Sequence, residues 1–162
     1  MFGADAVRCM RRGNGGSALG GHKWWRVYVT ETQNPSESFV NIGEVEFRSQ
    51  IGGQSESVGG VAVASSSYTP YYFPEGAFDG SLLTSSNTWS SNAVTTPPQW
   101  IGYEHVAEID VVEVLIASGY NAGRAPFDFQ IQFSDDGEVW ETKASFAGEA
   151  GWVNYEARVF AL

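Results

Sequence analysis

Apolar and polar positions alternate most regularly in Phe129-Gln130-Ile131-Gln132-Phe133-Ser134. Successive side chains of a strand point to opposite faces, so this spacing predicts a strand with one buried face. Asp136-Gly137 then signals a tight hairpin, because the turn needs a positive φ that glycine adopts without steric cost. Trp140 falls on the return strand. Shorter apolar or alternating runs occur at Gly60-Val61-Ala62-Val63-Ala64, at Ile109 to Ala117, and near the two ends at Trp25 to Thr30 and Glu156 to Ala161. Turn signals separate them, among them Asn34-Pro35, Gly52-Gly53, Gly59-Gly60, Asp79-Gly80 and Pro97-Pro98. With no helical period in view, the pattern predicts an all-β chain, a jelly roll or other sandwich of about eight strands. Two long polar or aromatic loops, Ser65 to Gly76 and Ser81 to Pro98, are where binding is expected on such a scaffold.

Composition adds one boundary. Residues 1–22 are basic and rich in glycine, without apolar period, which reads as a flexible arm ahead of a sandwich over 23–162. Five of the nine basic residues but only one of the nineteen acidic ones lie in residues 1–26, so that segment carries +4 and the remainder −14. A domain that acidic repels a phosphate backbone, so nucleic acid is not an expected partner of the sandwich. Cys9 is the only cysteine, which excludes an internal disulfide. No signal-peptide stretch and no bilayer-spanning stretch is seen, so neither secretion by that route nor membrane insertion is expected. Gly13-x-Gly15-x-x-Ala18 mimics a dinucleotide fingerprint but follows no strand.

Catalytic chemistry finds little support. His22 falls in the arm and His105 is expected in a turn after Tyr103-Glu104, so neither anchors a zinc site or a Ser-His-Asp set. Asp135-Asp136 belongs to the hairpin turn, and Glu44 with Glu46 reads as the solvated face of a strand. Aromatic residues make up 14 % of the chain, more than a core alone demands. Tyr71, Tyr72 and Phe73 stand side by side in a loop where alternation cannot hide all three. Such rings stack on the apolar face of a sugar or form a subunit contact, and both readings stay open.

The ordered pieces Ala77-Phe78-Asp79-Gly80, Trp89-Ser90-Ser91-Asn92, Pro98-Gln99-Trp100-Ile101-Gly102-Tyr103 and Phe129 to Trp140 together resemble the discoidin, or coagulation factor 5/8 type C, family of galactose-binding-like jelly rolls. The resemblance also takes in Trp24 to Val29, Ile42 to Arg48 and Glu156 to Phe160. It implies a non-catalytic binding module, with Trp89, Trp100 and Trp140 as core or rim-plugging aromatics. Tyr71, Tyr72, Asn92, Tyr120, Asn121 and Arg124 would meet a glycan. A structural calcium is implied at Asp79, Ser81, Thr84 and Glu156, with the familiar second acid after the glycine replaced by Ser81. Small discoidin-like proteins of tailed-bacteriophage particles are similar in size and in the basic arm. The resulting expectation is a virion component, tail, fibre or capsid surface, whose arm anchors it to other subunits in a multicopy or homo-oligomeric assembly and whose loops face a host glycan. The rivals are a free bacterial carbohydrate-binding module or lectin, cytoplasmic or exported without a signal peptide, and a fragment accessory to a glycoside hydrolase.

Overall fold

A computed structural model describes residues 20–82 and 87–162. Among these residues nine strands build two antiparallel sheets: β1 (His22–Thr32), β2 (Asn41–Arg48), β3 (Val61–Ala64), β4 (Trp89–Ser90), β5 (Gln99–Ile109), β6 (Glu113–Ser118), β7 (Pro126–Ser134), β8 (Glu141–Phe146) and β9 (Ala157–Ala161). One sheet has the order β3-β5-β1-β7-β8 and the other β4-β2-β6-β9. Two short 3-10 turns, Pro74–Ala77 and Ala122–Arg124, interrupt the loops. Among the described residues no helix is long and apolar enough to cross a membrane.

Alternation decides which face of each strand is buried. In β1, Trp25, Val27 and Val29 are fully buried while Trp24, Arg26 and Tyr28 point to the outer face. In β7, Phe129 and Ile131 enter the core. They meet Ile42, Val45, Phe47, Val114, Ile116 and Phe160 of the opposite sheet, which gives the single core of a sandwich. The end strands lie within the sheets, β1 starting one residue before the boundary expected at 22/23. Deleting residues 156–162 is therefore expected to unfold the domain. Phe160 would be lost from its contacts with Phe129 and Phe146, at centroid distances of 5.1 and 5.0 Å, and the edge of β6 would be bared. Loss of the cooperative thermal transition is the readout.

Three local expectations change. The apolar run Ile109 to Ala117 is not one strand: β5 ends at Ile109, the chain crosses between sheets, and β6 begins at Glu113. Both halves are apolar because each serves its own sheet. His105 lies in β5 rather than in a turn, and its ring is buried between Phe47 and Tyr103 at centroid distances of 5.9 and 5.0 Å. Burial holds its pKa below the ordinary imidazole value. Glu44 is not on a solvated face, because the loop after Phe78 closes over it and leaves it 1 % exposed. Beside it Gly43 is required by close approach: a Cβ there would stand 2.7 Å from the Ser118 carbonyl oxygen across the irregular β2/β6 pairing. The 1–19 part of the expected arm lies outside the described residues.

Candidate functional site

Loops 33–40, 65–76, 91–98 and 119–125 gather at one end of the sandwich, where β1, β3 and β6 end and β2, β5 and β7 begin. Backbone bonds bind these loops together: Gln33 N–H donates to Ala125 O at 2.9 Å, Asn34 N–H to Gly123 O at 2.8 Å, and Tyr68 N–H to Ser90 O at 2.8 Å. Satisfied in this way, the loops form a fixed platform rather than free excursions.

Rings cover that platform. Tyr72 sits 5.5 Å from Tyr120, 5.9 Å from Tyr68 and 6.5 Å from Tyr71, and Tyr68 stacks on Phe39 at 6.1 Å. Tyr71 is 71 % exposed and Phe73 45 %, so the shelf offers ring faces to solvent. Beneath them Arg124 lies 3.7 Å over the Phe39 ring, its Nε donates to Glu37 at 2.7 Å, and its Nη1 donates to the Tyr120 hydroxyl at 3.1 Å. Asn121 donates to Glu37 at 3.2 Å and accepts from Gly123 N–H at 3.0 Å. The bond from Arg124 is the main reason that the Glu37 carboxyl stays below the usual carboxylate range. Burial pushes the Tyr72 phenol up, with Tyr120 adding to it. An open depression of about 180 Å³, lined in part by Thr32, Pro35, Glu37 and Thr96, adjoins the shelf through Glu37.

Five of the six expected ligand residues thus share one network. Tyr71 meets Tyr72, Tyr72 meets Tyr120, and Tyr120 meets Arg124, which shares Glu37 with Asn121. Asn92 belongs to the same end of the sandwich but is spent on its own loop, where its Oδ1 accepts from Val94 N–H at 3.2 Å. Arg124 and Asn121 are anchors of the platform as much as free donors. The sequence reading missed Phe39, Tyr68 and Glu37. Only the density of aromatics in 65–76 hinted at Tyr68, and nothing local marked Glu37. Depressions at Phe133 to Glu141 and Ser49 to Glu56 are formed by a hairpin turn and a polar loop and show no such convergence of rings.

The expected calcium residues are not assembled as a set of four. Asp79 Oδ1 accepts from Ser81 N–H at 2.8 Å, and Asp79 Oδ2 accepts from the Asn87 amide. Glu156 is held by Val153 N–H at 2.9 Å and Arg158 at 2.8 Å, and Thr84 lies outside the described residues. Instead the loop brings Asp79 toward Glu44. Glu44 Oε1 accepts from Gly80 N–H at 3.2 Å, while its Oε2 is buried with no partner among the described residues. Burial pushes this carboxyl up to about 8, with the charges of Asp79 and Glu46 acting in the same direction. Among the described residues no group of three or more His, Cys, Asp or Glu side chains forms a metal cluster.

Of the three aromatics expected in the core or at its rim, one is in the core. Trp89 is fully buried and donates to Ser66 O at 2.9 Å, whereas Trp100 and Trp140 are half-buried on the outer face of the five-stranded sheet.

A family model described as F5/8 type C domain matches residues 61–158, from β3 into β9 and more than half of the chain. No curated protein and no solved structure matches the chain. Strands β1 and β2 lie outside the match, yet β1 is the middle strand of the five-stranded sheet and β2 pairs with β6.

Proposed function

Because the chain belongs to the F5/8 type C domain family, a family of binding modules that are generally non-catalytic, we propose that it binds glycan through the tyrosine shelf. The carrying observation is the exposed ring of Tyr71 beside the fixed Tyr72–Tyr120–Arg124 group. Pyranose rings stack on such faces, and the phenol and guanidinium groups at the edge bond hydroxyls. One shallow site of this kind binds at about the millimolar level, roughly 4 kcal/mol, so useful attachment calls for many copies. The basic N-terminal segment against an acidic domain supports a multicopy assembly, and the finer reading is a tailed-bacteriophage virion component anchored by residues 1–22.

Tyr71→Ala is the clean test, since an exposed ring contributes little to stability. Binding on a glycan array displaying multivalent protein is expected to fall about tenfold, roughly 1.4 kcal/mol, at unchanged melting temperature. A blank array combined with loss of oligomer in the same variant would instead make the shelf a subunit contact. Removing residues 1–21 is expected to abolish incorporation into particles while leaving the melting temperature unchanged.

We also propose that a structural calcium joins Asp79 to Glu44. The orphaned Glu44 oxygen and the hard carboxylate donors fit that ion, whose remaining ligands would be loop carbonyls and water. Calcium would supply the charge that offsets two neighbouring carboxylates.

A further inference from the structure

On the outer face of the five-stranded sheet, Arg26 is enclosed by rings. Its guanidinium carbon lies 3.9 Å from the centroid of Trp140 and 5.1 Å from those of Trp100 and Tyr28. Register explains the assembly: Arg26 pairs across β1 with Gly102 on one side and Gln132 on the other, and Tyr28 pairs with Trp100 and Gln130. Gly102 is needed there, because a Cβ would stand 2.8 Å from Arg26 Cβ and 2.5 Å from Trp25 O.

Every other basic residue among those described has an acidic partner. Lys23 pairs with Glu104, Arg48 with Glu46 and Glu113, Arg124 with Glu37, Lys143 with Asp110, and Arg158 with Glu149 and Glu156. Arg26 has none among the described residues, in a chain of net charge −10. Its Nε donates to Gln132 Oε1 at 2.7 Å, while among the described residues Nη1 and Nη2 donate to no protein atom and neither is buried. Burial of the group lowers its pKa only to about 10, so it is charged at neutral pH. Gln130 Oε1 accepts from Gln132 at 2.7 Å and Thr142 at 3.1 Å, and its own amide nitrogen has no acceptor among the described residues.

We propose that this face is a second binding site, taking the carboxylate of an acidic sugar on the open end of the Arg26 fork with the sugar ring against Trp100 and Trp140. A planar fork matches a carboxylate in bidentate fashion. A lone cation among aromatic rings suits a singly charged group on a ring with an apolar face, whereas a phosphate would favour several cations. The acidity of the rest of the domain does not oppose this, since exposed charges more than about 8 Å away are screened at physiological salt. Glu104, the carboxylate next along β5, is already neutralised by Lys23 at 2.8 Å. The choice of a sugar rests on the glycan-binding reading; the site itself is separate from the shelf.

The test uses the full chain in calorimetric titrations with galacturonate, mannuronate and glucuronate oligomers, and with the methyl ester of each. At least one oligomer is expected to bind, and its ester at least tenfold more weakly. Arg26→Gln and Trp140→Ala should each weaken binding about tenfold, Arg26→Lys less, and Tyr71→Ala not at all, with urea midpoints checking the fold. Binding of no oligomer, equal binding of the esters, or wild-type affinity in Arg26→Gln would overturn the proposal. Loss in Tyr71→Ala alone would hand the acidic sugar to the shelf, whereas retention there with loss in Arg26→Gln upholds this site even if the shelf binds nothing.

Discussion

Trp89→Ala is expected to cost about 3–5 kcal/mol, much of the stability of an ordinary domain. Trp89 is fully buried at the start of β4, pairs through Ile42 with β2, and its indole N–H satisfies the Ser66 carbonyl. Truncation opens a cavity that the surrounding strands cannot close and orphans that carbonyl. Trp100→Ala removes a half-buried ring from the outer face and is expected to cost only about 1 kcal/mol. Urea midpoints for the two variants check the contrast, and equal losses would contradict the burial assigned to each tryptophan.

Glu44→Gln is expected to stabilise the protein at alkaline pH. The folded-state pKa of Glu44 is raised to about 8, while the unfolded chain titrates near its model value of 4.5. Between those values the unfolded chain has released a proton that the folded chain still holds. Stability therefore falls as pH rises through this window, by about 1.4 kcal/mol per unit and on the order of 5 kcal/mol in all. In Glu44→Gln that slope disappears, and the urea midpoint at pH 8 should exceed that of the wild type. Calcium bound by Asp79 and ionised Glu44 would act oppositely, stabilising by mass action and more strongly at pH 8 than at pH 5. Thermal scans with EDTA and with millimolar calcium read this directly. Absence of any shift in the wild type would remove the ion from the site.

Much of the architecture was legible because a strand with one buried face writes its period into the chain. Phe129 to Ser134 and Trp25 to Thr30 alternate, and both became strands of the same sheet. The expectations that changed have one cause in common. His105 and Glu44 read locally as a turn and a solvated face, and Trp100 reads from the resemblance as core or rim, whereas the burial of each is set by residues far along the chain. His105 is packed by Phe47, Glu44 is roofed by the loop after Phe78, and Trp100 is turned outward by its register with Tyr28. The shelf follows the same division: Tyr71, Tyr72, Tyr120, Asn121 and Arg124 could be named from two loops, but Glu37 and Phe39 come from a third loop with no signal of its own.

The amino-acid sequence alone determined the all-β class, the β-sandwich, most strand positions and the family, since period, turn chemistry and motif order are local properties. Tertiary structure alone decided which aromatics are core, which carboxylate loses its water, and which arginine has no acidic partner among the described residues. Those depend on strand order, register and loop closure, which bring residues such as Arg26 and Gln132, or Glu44 and Asp79, together across distances the chain does not encode locally.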